Sequence, residues 1–183
     1  MRPVSPARAV AFAVLLRVFE EDAWADRALV GEARRHGLDP RDRALATQLA
    51  FGTVQRVATL DHLVEALAGR PPAGLDPPVR AALRLGLYQL AFLARVPDHA
   101  AVTESVELAK QRSPKGAGLV NAVLRRGARE APGILAALPE ATPEQAALRH
   151  SHPEWIAELW FDALGPQAAR ALMAAGNRPP EPA

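Results

Sequence analysis

Apolar residues return along this chain at intervals of three and four, the repeat that places side chains on one face of an α-helix. Val10, Val14 and Val18 stand four apart, Leu45, Leu49 and Gly52 share a face, and Val79, Leu83, Leu87 and Leu90 continue the rhythm. Leu60, Leu63, Val64 and Leu67 form another stripe before the turn Gly69-Arg70-Pro71-Pro72, and Trp24 to His36 reads as a helix closed by Gly37. Around Leu83 to Leu93 the sequence is apolar nearly all round, with Leu85 and Phe92 off the main stripe, so this helix is expected at the centre of a bundle.

Capping residues set the frame. Five helix starts pair a cap residue with proline at the first helical position: Ser5-Pro6, Asp39-Pro40, Asp76-Pro77, Ser113-Pro114 and Thr142-Pro143. Gln145 completes a capping box with Thr142. Two helices follow the central one, Asp98 to Arg112 and Pro114 to Arg129, which makes about seven before residue 131. Ala131-Pro132-Gly133 and Leu138-Pro139 are expected to interrupt the chain. Beyond them Trp155, Ile156, Leu159, Trp160 and Leu164 make an amphipathic helix ending at Gly165-Pro166. The expected organisation is one domain over residues 1–130 and a helical appendage over 131–183. The starts at 39, 76 and 113 are 37 residues apart, which raises a solenoid of helical repeats as an alternative, although the intervening segments share little beyond the apolar stripe.

Composition agrees with helices. The chain holds 39 Ala and 24 Leu against 2 Ile, 5 Phe, 1 Tyr and 5 Thr, so an all-α protein is expected. Arg8, Arg17 and Glu20 break the first apolar stretch and no small-residue cleavage site follows it, so the sequence predicts a cytoplasmic chain with no membrane partner. The chain has no cysteine, which excludes disulfide scaffolds, thiolate zinc sites and cysteine nucleophiles within it. Net charge is +2, but residues 79–130 carry +5 and residues 131–183 carry −3. A basic middle points to an anionic partner, and 20 of the 22 cations are Arg, whose fork matches phosphate.

Candidate chemistry is sparse. His150-Ser151-His152 is a close His pair with no third ligand in sight, and a helix cap is the expected role over a metal site. Lys115-Gly116-Ala117-Gly118 imitates a nucleotide loop but follows a helix and lacks the third glycine, so a tight lead into the next helix is expected, with room for a phosphate at that helix N-terminus. Glu104, Glu107 and Lys110 read as a solvated ion-pair face.

A series of short motifs then stands in order: Arg41-Asp42-Arg43, Phe51-Gly52, Leu60-Asp61, Leu83-Arg84-Leu85-Gly86-Leu87-Tyr88-Gln89-Leu90, Val96-Pro97-Asp98-His99-Ala100-Ala101-Val102, Glu104-Ser105-Val106-Glu107-Leu108-Ala109-Lys110 and Val120-Asn121-Ala122-Val123-Leu124-Arg125. Over about residues 5 to 130 this series resembles the NusB-like domain. Two subfamilies share that fold: the free-standing transcription antitermination factor, and the N-terminal domain of the Sun/Fmu (RsmB-type) small-subunit rRNA cytosine methyltransferases. Arg41-Asp42-Arg43, Gly86-Leu87-Tyr88-Gln89-Leu90, His99-Ala100-Ala101 and Asn121-Ala122-Val123-Leu124-Arg125 look like the methyltransferase version. The antitermination factor usually carries an Arg cluster at its extreme N-terminus, where this chain has Arg2 and Arg8. Ser151-His152-Pro153-Glu154-Trp155 and the closing Asn177-Arg178-Pro179-Pro180 resemble the connector that leads, in those methyltransferases, to the next domain. Where the family commonly has Gly-Val-Leu-Arg this chain has Gly52-Thr53-Val54-Gln55 with Arg56 one place later, and Thr103 replaces an Asn.

The resemblance implies an all-α NusB-like bundle with a short C-terminal helical connector, binding small-subunit rRNA and positioning a methyltransferase domain in the same polypeptide. S-adenosylmethionine is the cofactor implied for that longer enzyme, and none is expected in this chain. The alternatives are an antitermination-type regulator binding RNA with a ribosomal protein, and a helical scaffold for protein alone. Affinity is expected mainly from phosphate contacts by Arg8, Arg41, Arg43, Arg56, Lys115, Arg125 and Arg126, since a bundle without exposed aromatics offers little for base stacking. Asn121 is expected to bond a neighbouring helix turn, and Asp42 to orient Arg41 or Arg43. The helix around Trp155 carries more apolar surface than one packed face buries, so a partner or self-association is expected there.

Overall fold

The computed structural model describes residues 4–178, so Arg2 and the closing Pro179-Pro180 lie outside the described residues. Ten α-helices follow one another: α1 (Pro6–Glu20), α2 (Ala25–Arg35), α3 (Pro40–Gln55), α4 (Val57–Ala68), α5 (Pro77–Phe92), α6 (Asp98–Arg112), α7 (Ala117–Ala137), α8 (Pro143–His150), α9 (Glu154–Leu164) and α10 (Pro166–Gly176). Among the described residues there is no strand. All five cap-proline starts open helical structure, the one at Pro114 through a 3-10 turn, Pro114–Gly116, that leads into α7. Asp39 and Thr142 make the side-chain caps, and Thr142 with Gln145 forms the reciprocal box.

α5 is the axis. Its residues 81–89 are all buried, and it packs against α1, α3, α4, α6 and α7. Close approach of α5 and α7 depends on two glycines: a Cβ on Gly86 would stand 2.6 Å from Leu124, and one on Gly127 would stand 2.7 Å from Leu87. The main core runs from Ala7 through Leu49, Leu63, Leu85 and Leu124 to Ala131, each large aliphatic side chain contributing about 1.5–3 kcal/mol on burial. A second, smaller core joins α8, α9 and α10 through Ala146, Ala157, Phe161, Ala169 and Met173. The two cores meet across a joint made largely of hydrogen bonds. Thr59 Oγ1 donates to the Leu148 carbonyl (2.8 Å), the Ala58 amide donates to Ser151 Oγ (2.9 Å), and Gln55 Nε2 donates to the Gly176 carbonyl (2.7 Å).

Two expectations need correction. The helix begun near Pro114 does not stop at Ala131-Pro132-Gly133 but continues to Ala137 with Pro132 inside it. Ala131 and Leu138 are buried and Ile134 and Leu135 pack half-buried against the main core, all at helical spacing, and that packing outweighs the donor Pro132 removes. The second correction is α10, which follows Gly165-Pro166 where the sequence suggested only an end. Its apolar stripe is thin, with Ala169 and Met173 as the buried residues.

Candidate nucleic-acid interface

The predicted cations do not gather on one surface. Arg8 is 7% exposed, donating to Gln89 Oε1 (2.6 Å) and Glu104 Oε1 (3.0 Å), with Ser5 completing the cluster. A buried guanidinium bonded through Nε and Nη1 is a structural tie between α1, α5 and α6 and is not a free phosphate ligand. The same cluster corrects the reading of Glu104 as part of a solvated face, since its carboxylate is largely buried against α1. Lys115 is exposed in the 3-10 turn at the far end of α5, where Ser113 Oγ bonds Asp76. Arg125 and Arg126 are exposed on α7. Arg125 donates to Asn121 Oδ1 (3.0 Å), and Arg126 bridges Glu130 (2.7 Å) and the Leu67 carbonyl (3.1 Å). Asn121 thus bonds a residue one turn along its own helix. Asp42 makes no ion pair with Arg41 or Arg43 among the described residues, and its amide donates to the capping Asp39.

Arg41 and Arg43 are exposed at the start of α3, and Arg43 and Arg56 open onto one groove. Its volume is about 1250 Å³. One wall is a single face of α3 at spacings of three and four, from Pro40 through Arg43, Thr47, Gln48 and Phe51 to Gln55. The opposite face of α3, Ala46, Leu49, Ala50 and Thr53, is buried. Tyr88, Phe92 and Leu93 from the end of α5 form the floor, and Ala174, Asn177 and Arg178 from the end of α10 close the other side. Tyr88 reaches α3 because Gly52 has no side chain: a Cβ there would lie 2.0 Å from the phenol oxygen.

Arg56 lies over the Phe92 ring at 4.6 Å. Burial lowers its pKa, offset in part by Tyr88, and burial raises that of Tyr88, offset in part by Arg56. Beside the groove, Ser151 caps α8 in the left-handed conformation (φ 57°). His150 Nε2 meets Glu140 (3.1 Å), while His152 Nδ1 donates to the His150 carbonyl (2.9 Å) and its ring packs on Trp160. The His pair therefore belongs to a helix cap and its hydrogen bonds. Burial lowers the pKa of His152; the charges of His150 and Arg56 act in the same direction, and the bond to the carbonyl opposes them.

Exposed aromatics are present after all: Trp24 is 74% exposed, Phe51 39% and Trp155 65%. Sequence reasoning passed over Phe51, Gln48, Phe92 and Arg178 as site residues. The Arg43-Thr47-Phe51-Gln55 stripe was a readable signal, whereas the approach of α10 was not.

The family model described as the NusB family matches residues 5–129. The chain belongs to the NusB family. Ribosomal RNA small subunit methyltransferase B of Thermus thermophilus is 45% identical over 165 residues, covering 90% of this chain and 37% of that protein. The enzyme of the same name from Pseudomonas putida is 42% identical over 144 residues, covering 78% of this chain and 32% of that protein. The chain thus spans about a third of the length of these relatives. Among solved structures, a chain in the crystal structure of antitermination factors NusB and NusE in complex with dsRNA has a TM-score of 0.63 at 24% identity, covering 68% of this chain and 94% of that one. The NusB fold accounts for α1 to α7, with the Arg8–Glu104 and Arg84–Asp61 pairs as its internal ties; the second of these is bidentate at 2.7 Å. No helix among the described residues is long and apolar enough to cross a membrane.

Proposed function

We propose that this chain is the RNA-binding part of a small-subunit rRNA cytosine-C5 methyltransferase, residues 1–130 holding rRNA and residues 131–183 connecting to a catalytic part of the same polypeptide. One observation carries this reading. The family model ends at residue 129, yet the Thermus methyltransferase aligns over 165 residues, more than fit between residues 5 and 129, so its likeness continues into the α8–α10 unit. The NusB structure solved with NusE and dsRNA covers only 68% of the chain, which favours the methyltransferase over the free-standing antitermination factor.

S-adenosylmethionine does not fit this chain. The described residues contain no strand leading through a glycine-rich turn into a helix, and the sequence offers no Cys to attack the cytosine ring. No step of methyl transfer is assigned to its residues. Their work is to bind: Arg41, Arg43, Arg56, Lys115, Arg125 and Arg126 meet phosphates, and the exposed Trp155 and Leu159 of α9 pack on the catalytic part.

The test is binding of labelled small-subunit rRNA as salt is raised. Log affinity is expected to fall by about 0.7–0.9 per phosphate contact for each log unit of salt. An affinity independent of salt would defeat the reading in favour of a protein scaffold, and binding that needs an added ribosomal protein would favour the antitermination type. The chain alone is expected to transfer no methyl group to rRNA.

A further inference from the structure

The groove between α3, α5 and α10 has a character that generic phosphate binding does not explain. Three arginines line it, Arg43, Arg56 and Arg178, and among the described residues no carboxylate does. An apolar cleft with three cations and no anion is complementary to an anionic ligand that also carries flat apolar surface. A second observation narrows the ligand. Asn177 Oδ1 is buried and has no donor, although Asn177 Nδ2 is fixed by its bond to the His150 carbonyl (2.7 Å). A buried acceptor left without a partner costs free energy, so a ligand that brings a donor, N–H or O–H, fits this place. A fully ionised inorganic anion has none.

The aromatic side chains are arranged to match. Phe51 stands partly exposed on the α3 wall, and Phe92 carries the Arg56 guanidinium on its face at 4.6 Å. A guanidinium stacked in this way keeps its in-plane N–H groups for phosphate. Gln48 and Gln55 add amide groups along the same wall, and Gln55, whose Nε2 is spent on Gly176, keeps its Oε1 as an acceptor. At about 1250 Å³ the groove exceeds the space a single small molecule fills, so it suits a short stretch of chain.

We propose that this groove takes unpaired nucleotides of the bound RNA. Arg43, Arg56 and Arg178 hold their phosphates, Phe51 stacks on a base, and Asn177 Oδ1 accepts from a base N–H. The proposal rests on the reading of the chain as RNA-binding and adds which form of RNA it selects and where. A paired A-form helix buries its base faces, so only looped-out or single-stranded nucleotides can stack on Phe51.

The experiment compares a fluorescent single-stranded oligoribonucleotide with the same sequence in a duplex, using the full chain, Phe51→Ala and Ala44→Glu. Ala44 is an exposed helical residue on the groove wall, so the second variant introduces bulk and negative charge without touching the core. Circular dichroism checks that both variants keep their helices. Loss of one stacked base is expected to weaken single-strand binding about ten-fold in Phe51→Ala, with a loss at least as large in Ala44→Glu and little change for the duplex. If wild type binds RNA and both variants bind the single strand as tightly, the groove proposal falls while the RNA-binding reading stands, and a protein segment becomes the better occupant. If neither RNA form binds, both readings fall together.

Discussion

Tyr88 owes its position to the missing side chain of Gly52, and this pair fixes the floor of the groove. Gly52→Ala drives a methyl group into the phenol, so the ring or the helix must shift at a cost of about 1–3 kcal/mol. Thermal unfolding followed by circular dichroism should show Tm lower by several degrees. His152 gives a pH dependence with a definite sign. Its folded pKa lies below the ordinary value because of burial, so the unfolded chain binds the proton first as pH falls. Its contribution is therefore complete above about pH 6.5 and is lost as pH drops toward the folded value. Denaturant unfolding at pH 7.5 and 5.5 should show a smaller difference in His152→Gln than in wild type. At this scale the sequence revealed which residues carry charge but not what they do with it. Arg8 and Arg41 look alike as letters, and only the meeting of α1 with Gln89 and Glu104 turns the first into a core ion pair.

Helices were legible where local chemistry sets them. Cap residues followed by proline act within a few residues, and each of the five begins helical structure. The errors came where packing overrides local preference. Pro132 reads as a break, yet the stripe of Ala131, Ile134, Leu135 and Leu138 keeps α7 helical through it, and Arg149 satisfies the carbonyls of Leu135 and Leu138 near its end. Proline in a helix interior is about 3 kcal/mol less favourable than alanine. Pro132 is exposed, so Pro132→Ala relieves that strain without opening a cavity and should raise Tm by several degrees in the same thermal assay. α10 was missed for the opposite reason: its two buried residues, Ala169 and Met173, are too few to announce a face.

Across the whole molecule, the groove draws on three segments widely separated in sequence, around residues 40–56, 88–93 and 174–178. Periodicity exposes the first of these but carries no information on which distant helix ends approach it. The exposed face of α9 was more visible, because Trp155 and Leu159 crowd a helix whose inner side is already filled by Ala157 and Phe161. Sedimentation of the chain should show association growing with concentration, and Leu159→Glu should restore the monomer; a wild type monomeric throughout would contradict the sticky face. The joint between the two cores has a consequence for motion. Hydrogen bonds exchanged for water on opening cost far less than apolar surface, so α8–α10 should behave as a separate cooperative unit that opens while α1–α7 stays shut. Amide exchange should then be faster throughout α8–α10 than in α5, and each opening would carry Asn177 and Arg178 away from α3, so the wall that closes the groove is also the part of the molecule freest to let a strand in and out.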